Sequence, residues 1–326
     1  MAVYTTIDDP SAYFKVQLYT GNGSANHAIT FDDTDTDMQP DMVWIKNRDA
    51  TDNNIIFDSV RGATKRLYVD TTAVEATDAD TLDSFTSDGF QLDADVKVNT
   101  NAEKYVAWCW KESTTSGLDI VSNVKNDNDV ENVSHNLSAV PEWIMGKSID
   151  VVANWICYNK ASGNTHAMYL HADSVPTDSV TFFNDTTPTT SGFTVGADNG
   201  WASTNIFYAF TPKQGFSKFG TYEGNGNADG TFVWCGFKPA FVMTKSIDST
   251  SSWHIFDNKR EGYNVDNDPL VAHDTTVEAT TDMIDILSNG FKLRIATDPN
   301  VAETYLYIAF AAAPFVNSNG VPCNAR

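Results

Sequence analysis

Positive charge is scarce in this sequence of 326 residues, in which 21 lysines and arginines stand against 43 aspartates and glutamates. The formal net charge is −22, and no local run of basic residues offsets it. Nucleic-acid binding depends on basic side chains that neutralise phosphates, and anionic membranes attract basic surfaces in the same way. No apolar run is long enough to span a bilayer either. The composition therefore predicts neither nucleic acid nor a membrane as a partner.

Cysteine is also rare, and the N-terminus has no export signal. The start MAVYTTIDDP lacks the basic residues and the continuous apolar stretch of a signal peptide. The four cysteines form no CxxC pair and occupy non-equivalent places, so they predict neither a repeated disulfide nor a zinc site: Cys109, Cys157, Cys235 and Cys323. We therefore expect a protein made in cytoplasm, with reduced thiols and no cofactor.

A helical pattern of apolar residues is missing as well. No stretch of about ten residues has apolar side chains at the spacing i, i+3, i+4 and i+7 that marks one face of a helix. Short runs of Val, Ile, Phe, Trp and Tyr alternate instead with Asp, Asn, Gly and Thr along the whole chain. Such runs are typical of β-strands separated by turns. The sequence therefore predicts an all-β protein.

Three sequence blocks recur in the same order at intervals near 100 residues. The first block reads PDMVWIKN, PEWIMGKS and PAFVMTKS and begins at Pro40, Pro141 and Pro239. The second reads TSDGFQL, TTSGFTV and LSNGFKL and shares Gly89, Gly192 and Gly290. The third has the form Tyr/Phe-x-Ala-Trp/Phe and aligns Tyr105, Phe207 and Tyr307.

A period of this length indicates whole domains in a row rather than a solenoid. We predict three tandem β-sandwich domains: residues 1–113, residues 114–214, which have diverged most, and residues 215–326, which end in a loose tail. The second block is predicted to supply a hairpin in each sandwich, because Asp88-Gly89 and Asn289-Gly290 tolerate the positive φ of a tight turn.

The segments YTGNG, QPDMVWIKNRDATDNNIIFDSVRG and SFTSDGFQL resemble a repeated domain of virion proteins from tailed phages that infect marine bacteria, often tail or tail-fibre proteins. The resemblance covers most of the chain and is strongest in the first repeat. It implies concanavalin A-like jelly-roll units, an architecture used by lectins, glycanases and many viral appendages. It carries over no catalytic or sugar-binding residues.

On this resemblance we expect a phage virion structural protein, a tail-fibre or tail-associated component that acts in adhesion or as an adaptor and is not an enzyme. Its partners would be other virion proteins and a host-surface glycan, and it would form a homo-oligomer in the particle. Two alternatives stay open. One is a capsid decoration protein, distinguished by its copy number, and the other is a glycan-active enzyme on a jelly-roll scaffold.

Glycan hydrolysis would need two carboxylates held about 5–10 Å apart. The nearest approach is Asp127, Asp129 and Glu131, which lie in a segment polar enough to be a loop. Glu75 and Glu278 occupy matching segments, but the middle repeat has no equivalent. The sequence therefore predicts no catalytic residue.

Two acidic runs, residues 32–37 and 126–129, offer the oxygen ligands that calcium prefers. Neither run has the glycine and the distal glutamate of an EF-hand loop. Turns are the favoured interpretation, and no metal site is predicted.

A lysine recurs at one place in all three repeats, followed one strand later by a carboxylate or an amide. The lysines are Lys46, Lys147 and Lys245, and the later residues are Asp58, Asn159 and Asp257. We interpret them as exposed pairs at the rim of each sandwich, which contribute only about 0–1 kcal/mol each.

The candidate ligand-binding residues are Trp201 and its polar neighbours Asp198 and Asn199. They lie in the loop ADNGWAST, whose equivalents ATDPNVAET and KVNTNAEK have no aromatic residue. A sugar ring can stack on an aromatic face, so we predict a glycan contact here with Trp201 at least partly exposed. Packing of this indole against a neighbouring domain is the alternative.

Overall fold

The computed structural model describes residues 4–31, 36–125, 129–201, 203–260, 264 and 268–323, and only the backbone of Asn199. Almost all regular structure in these residues is antiparallel β-strand, which confirms the all-β prediction. The three sequence repeats are called units 1, 2 and 3 below.

Unit 1 contains one large and one small antiparallel sheet. Its elements are a 3₁₀ turn (Pro10–Ala12), β1 (Phe14–Thr20), β2 (His27–Thr30), β3 (Met42–Asn47), β4 (Ile55–Asp58), β5 (Lys65–Tyr68), β6 (Ala76–Thr77), β7 (Leu82–Thr86), β8 (Gly89–Leu92), α1 (Val96–Asn99) and β9 (Lys104–Trp110). The large sheet has the strand order β1-β9-β3-β4-β5-β6, and the small sheet has the order β2-β8-β7.

Unit 2 repeats this plan with a smaller second sheet. Its elements are β10 (Leu118–Val124), β11 (Glu131–Ser134), β12 (Trp143–Ser148), β13 (Ile156–Asn159), β14 (His166–Tyr169), β15 (Thr177–Asp178), α2 (Val180–Phe183), β16 (Gly192–Val195), a 3₁₀ turn (Asn199–Trp201) and β17 (Thr204–Phe210). The large sheet has the order β10-β17-β12-β13-β14-β15, and β11 pairs with β16.

Unit 3 has the same connectivity. Its elements are β18 (Ser217–Glu223), β19 (Phe232–Trp234), β20 (Phe237–Ser246), β21 (His254–Asp257), β22 (Leu270–Val271), β23 (Ile284–Leu287), β24 (Gly290–Leu293) and β25 (Thr304–Pro314). The large sheet has the order β18-β25-β20-β21-β22, and the small sheet has the order β19-β24-β23.

Strand register defines which residues of the three units are equivalent. The matching pairs are Met42 with Trp110, Trp143 with Phe210, and Phe241 with Phe310. The same register makes Tyr105 equivalent to Asn205 and Tyr305. The sequence alignment of Tyr105 with Phe207 was therefore wrong by two residues, because both segments alternate aromatic and small residues.

The repeated glycine begins a strand instead of forming the turn. Gly89 pairs with Thr86 as the first residue of β8, and Gly290 pairs with Leu287 as the first residue of β24. A Cβ atom at either glycine would overlap a carbonyl oxygen of the adjoining strand, that of Ile29 or that of Val233. Close approach of the neighbouring strand therefore requires the glycine in both units.

Gly290→Ala is expected to lower the free energy of unfolding by about 1–3 kcal/mol, because β19 must move away from the added methyl group. Asn289→Ala lies in the same turn and serves as the control, with an expected change within about 0.5 kcal/mol. Urea unfolding of both variants measures the difference. Equal stabilities would contradict the steric explanation.

Each large sheet is buried on both faces. In unit 1, Val43 and Ile45 face the small sheet and pack in a cluster with Ile29 and Phe90. The opposite face of the same strand joins a second cluster that also contains residues of units 2 and 3. Sheets covered on both sides have nearly continuous apolar strands, as β3, β12 and β20 do.

The three large sheets meet around a small apolar void of about 10 Å³. All three units line it, through Met42, Trp44, Trp110, Trp143, Met145, Phe210, Phe241, Met243, Ile308 and Phe310. The three units therefore share one apolar centre in addition to the core that units 1 and 2 each keep between their two sheets.

The C-terminal tail is attached more firmly than the sequence predicted. Val316 forms a β-bridge with Pro322, and the Ser318 amide donates to the Asp8 carboxylate at 2.6 Å. This contact ties the two ends of the described chain together in three dimensions.

Candidate functional site

Each unit inserts one side chain into an adjoining unit at an equivalent position, just before the third strand, in chain order, of its large sheet. The bonds run from Trp155 Nε1 to the Tyr68 oxygen (2.7 Å), from Trp253 Nε1 to the Tyr169 oxygen (3.0 Å) and from Asn54 Nδ2 to the Val271 oxygen (3.2 Å). Unit 2 thus contacts unit 1, unit 3 contacts unit 2, and unit 1 contacts unit 3. The three units form a closed ring.

The three repeated lysines are fully buried, so the prediction of exposed pairs at a rim was wrong. They lie on the face of each sheet that meets the other units, and their ammonium groups donate to backbone oxygens. The bonds are Lys46 Nζ to Asp52 (2.7 Å), Lys147 Nζ to Ser148 (2.9 Å) and to Thr72 of unit 1 (3.3 Å), and Lys245 Nζ to Ser246 (2.9 Å). Burial lowers the pKa of all three lysines to about 8.

Because these pKa values lie below the value of about 10.4 for an unfolded lysine, the unfolded state binds more protons than the folded state above about pH 8. From about pH 8 to pH 9.5, each lysine therefore contributes a rise in stability of at most about 1.4 kcal/mol per pH unit. The buried thiols of Cys109, Cys157 and Cys235, whose pKa values burial raises, contribute a fall in the same range. Lys147 is the simplest case, because burial is the one cause of its lower pKa.

Lys147→Met should make the slope of stability against pH smaller than in the wild type by up to about 1.4 kcal/mol per pH unit, since it removes one buried lysine and leaves the thiols unchanged. Lys160→Met is the matched control, because that side chain is 67% exposed and pairs with Glu142 at the surface. Chemical denaturation across this pH range measures both slopes. An unchanged slope in Lys147→Met would contradict the buried cation.

The carboxylates expected to face these lysines belong instead to ion clusters at two of the three junctions. In unit 3, Arg260 bonds Asp257 at 2.7 Å and Glu278 at 2.9 Å, and Glu278 also pairs with Arg48 of unit 1 at 2.7 Å. Trp108 of unit 1 donates to the same Asp257 at 3.1 Å. The cluster therefore joins unit 3 to unit 1.

Unit 1 has the equivalent cluster at its junction with unit 2. Arg61 pairs with Asp58 and with Glu75, and the Tyr208 hydroxyl of unit 2 donates to Asp58 at 2.6 Å. Glu75 and Glu278, the two glutamates weighed as catalytic candidates, thus both pair with arginines at the junctions: Glu75 with Arg61 of its own unit, and Glu278 with Arg260 of its own unit and Arg48 of unit 1. This gives them a structural role at the junctions.

Among the described residues, the junction between units 2 and 3 has no cluster of this kind. Asn159, Ser162 and Pro176 occupy the positions of the aspartate, arginine and glutamate of the other units. An open surface depression of about 490 Å³ lies at this junction. The break in the pattern makes this junction a candidate binding site.

Trp201 is fully buried, so the prediction that its indole is exposed was wrong. The ring packs 5.2 Å from the ring of Phe207, and both rings border Gly146, where a side chain would collide with them. The equivalents of Gly146 are Ile45 in unit 1 and Thr244 in unit 3. In unit 2, the Trp201 ring therefore occupies the space that is open because Gly146 has no side chain.

The neighbours of Trp201 do not form a sugar site with it. Asp198 accepts from the Gly200 amide at 2.7 Å and from the Thr181 hydroxyl at 3.3 Å, so it stabilises the local turn. The side chain of Asn199 lies outside the described residues. Because the Trp201 ring is buried, it offers no exposed aromatic face for the predicted glycan contact.

An aromatic pair that the sequence reasoning missed lies instead on β19. Phe232 is 43% exposed and Trp234 is 52% exposed, and both project from one face of an edge strand. Register makes them equivalent to Ala28 and Thr30 in unit 1 and to Asn132 and Ser134 in unit 2. The fold therefore does not require aromatic residues there, and comparison of the three repeats in strand register reveals the pair.

Basic side chains surround the aromatic pair, although the chain as a whole is acidic. The Lys218 ammonium lies 4.4 Å from the ring centre of Trp234, and Lys292 pairs across the strands with Phe232. Arg294 lies one residue beyond the strand of Lys292 and is exposed. Both side chains pair with Asp229, and Arg294 also pairs with Asp285. Phe232, Trp234, Lys218, Lys292 and Arg294 are called the aromatic-basic patch below.

The structure tests the expectations about metal sites and membrane spans only for the residues that it describes. Residues 32–35 and 126–128 of the acidic runs, including Asp127, lie outside the described residues. In the part of the chain that the structure describes, no three His, Cys, Asp or Glu side chains gather as a metal site. Over those same ranges, no helix has the length and apolarity needed to cross a membrane.

The chain belongs to a family defined by a domain of unknown function, DUF7483, whose model matches residues 9–314. The match spans all three units, so the family domain corresponds to the closed ring and not to a single repeat. No curated protein matches the chain.

Proposed function

We propose that this family member is a structural building block of a tailed-phage virion, a tail-associated component that works by assembly and adhesion. We also infer that each unit is a β-sandwich of the jelly-roll type. The observation that carries the proposal is the closed ring, in which Asn54, Trp155 and Trp253 join three copies of one unit into a single body. Repetition enlarges a rigid surface without creating a unique catalytic cleft, which suits assembly.

The charge of the chain supports the same role. A net charge of −22 keeps many copies soluble before assembly and keeps them away from packaged nucleic acid. The resemblance of the segments around Pro40 and Gly89 to phage virion proteins points in the same direction. Together these features favour a protein that is present in many copies and exposed on the particle.

The aromatic-basic patch is the surface best suited to hold a neighbouring copy. Exposed aromatic residues are the side chains that most often dominate protein interfaces. The Lys218 ammonium beside Trp234 complements the acidic surface that a chain of this composition presents elsewhere, whereas Lys292 and Arg294 contribute less because they already pair with Asp229 and Asp285. We therefore propose that the patch of one copy binds the acidic surface of the next in a homo-oligomer.

Phe232→Asn/Trp234→Ser tests this contact by copying the residues of unit 2. We expect self-association to weaken by at least about tenfold, because the aromatic anchors are lost, while stability changes little. Val124→Asn/Val152→Ser removes two other exposed apolar side chains as the control. Sedimentation velocity over a range of concentrations and salt measures both. Self-association that is unchanged both by the double substitution in the patch and by the salt concentration would refute this contact.

Mass spectrometry of purified virions tests the function itself. The chain should be present in many copies and accessible to external protease, and labelled antibody should place it on the tail. Uniform labelling over the head would support the alternative of a capsid decoration protein. Detection in the lysate of infected cells but not in particles would refute the proposal.

A further inference from the structure

The residue that each unit inserts into an adjoining unit is also held by its own backbone N–H, which donates to a side chain of the same unit. Trp155 donates to His171 Nδ1 at 3.3 Å, and Trp253 donates to His273 Nδ1 at 3.4 Å. Both histidines lie two residues beyond the strand that pairs with the inserted segment. Each histidine therefore holds the backbone from which a tryptophan reaches across a junction.

Unit 1 has a carboxylate at the equivalent position. The Asn54 amide donates to Asp70 Oδ2 at 3.4 Å. A carboxyl group keeps an oxygen acceptor in both of its protonation states, whereas a doubly protonated imidazole has no acceptor left. A single proton can therefore break the backbone bonds of Trp155 and Trp253, while Asn54 keeps its acceptor.

A buried cation lies beside the histidine of unit 2. Among the described residues, the charged group that faces His171 is the Lys147 ammonium, which donates to Thr72 of unit 1 across the same junction. Burial, and next this ammonium, lowers the pKa of His171 to about 4. A proton on His171 would add a second cation next to the first and remove the acceptor of the Trp155 amide.

The equivalent ring of unit 3 lies among carboxylates instead. Burial lowers the pKa of His273, while the carboxylate of Asp274, 3.7 Å from Nε2, opposes that effect. The other titratable or charged groups that face this ring are Asp173, Asp298, Lys245 and His254. Trp253 also donates two indole hydrogen bonds to unit 2, whereas Trp155 donates one to unit 1. Acid should therefore weaken the junction of units 1 and 2 first.

We propose that His171 is an acid-sensitive switch at the junction of units 1 and 2, in which proton uptake at Nδ1 releases Trp155 from unit 1. At neutral pH the ring carries its proton on Nε2 and accepts from the Trp155 amide at Nδ1. In acid the imidazolium offers no acceptor, and Lys147 repels it. The indole then leaves the Tyr68 oxygen. The switch is a property of the chain alone and holds whether or not the chain is part of a virion.

The direction of the pH effect follows from the two states of His171. The unfolded chain has the ordinary histidine pKa of 6.5 and the folded chain a value of about 4, so the unfolded chain binds more protons between them. The contribution of His171 is complete above pH 6.5 and is lost as the pH falls towards 4, by up to about tenfold in the folding equilibrium constant per pH unit. Burial raises the pKa of Asp70, and it raises that of Glu112 to about 7, so these carboxyl groups act in the opposite direction. A comparison of variants isolates His171.

NMR on the full wild-type chain tests the switch directly. Two-bond hydrogen–nitrogen spectra of histidine-labelled protein report the protons on His171, and fluorine spectra of fluorotryptophan-labelled protein report Trp155. We expect His171 to keep its proton on Nε2 alone down to about pH 5. As the ring titrates below that pH, the Trp155 signal should move towards that of the exposed Trp234, while the Trp253 signal keeps its place. Titration of His171 at the ordinary value of 6.5, or titration without a change at Trp155, would overturn the proposal.

His171→Asn is the matched variant, because its amide oxygen can accept from the Trp155 N–H but binds no proton in this range. The Trp155 signal should then keep its buried position down to about pH 4, and the folding equilibrium constant should fall by up to about tenfold less per pH unit than in the wild type. His273→Asn is the control at the other junction and should leave the response of Trp155 unchanged.

A response of Trp155 to acid that persists in His171→Asn, or that disappears in His273→Asn, would overturn the switch. If His171→Asn does not fold, the joint titration of His171 and Trp155 in the wild type still decides the question.

Discussion

Arg260→Ser is expected to destabilise the folded protein by about 3–5 kcal/mol, because it leaves buried carboxylates without their cation. Arg260 bonds Asp257 at 2.7 Å and Glu278 at 2.9 Å, and the side chains of Arg260 and Asp257 are almost completely buried. Arg48 still pairs with Glu278, so the loss falls mainly on Asp257. Thermal and urea unfolding measure the change.

Asp257→Asn/Arg260→Ser is the matched control, since it copies Asn159 and Ser162 of unit 2. It removes the unpaired charge as well as the arginine, so it should be more stable than Arg260→Ser alone. A double variant less stable than the single one would mean that lost packing, and not buried charge, dominates at this junction. A cost below about 1 kcal/mol for Arg260→Ser would contradict a buried ion cluster.

Trp253→Ala is expected to cost about 3–5 kcal/mol, as is typical when a large core side chain is truncated. The indole is fully buried, and its Nε1 donates to the Tyr169 oxygen at 3.0 Å and the Ala172 oxygen at 3.1 Å in unit 2. Its ring also lies 5.7 Å from that of Trp143. The substitution therefore removes packing and hydrogen bonds across the junction of units 2 and 3.

Trp253→Phe separates these two contributions, because phenylalanine keeps much of the packing but cannot donate a hydrogen bond. It should cost less than Trp253→Ala. Trp234→Ala, at an exposed tryptophan, is the control and should change stability by less than about 0.5 kcal/mol. If Trp253→Ala and Trp234→Ala had the same effect, the ring of inter-unit contacts would not stabilise the fold.

The strands and their repetition could be predicted from the sequence because both depend on local patterns. The segments at Pro40, Pro141 and Pro239 each lead into the same strand of a large sheet. The repeated glycine was found for the same reason, and its predicted positive φ is confirmed at Gly89 but not at Gly290. The close approach of the neighbouring strand was missed at both. Turn preference is visible in a dipeptide, whereas the carbonyl oxygen of Val233 that approaches Gly290 belongs to a segment over 50 residues away.

The burial of the lysines and of Trp201 could not be predicted, because it depends on contacts between residues that are far apart in the sequence. Lys147 looks like a surface residue in isolation, yet Thr72 of unit 1 covers it. Trp201 looks like an exposed loop residue in the sequence. Its ring is buried because Gly146, more than 50 positions earlier, leaves room for it. The one available signal was the apolar character of both faces of strands such as β3, which implies a third layer.

Differential scanning calorimetry tests most directly whether the three units form one closed body. Because they share a central core and a ring of inter-unit contacts, the account predicts a single transition whose calorimetric and van't Hoff enthalpies agree. Arg260→Ser should shift that whole transition to lower temperature, even though the substitution lies in unit 3. Two or three separate transitions, with one of them moved by the substitution, would contradict the account.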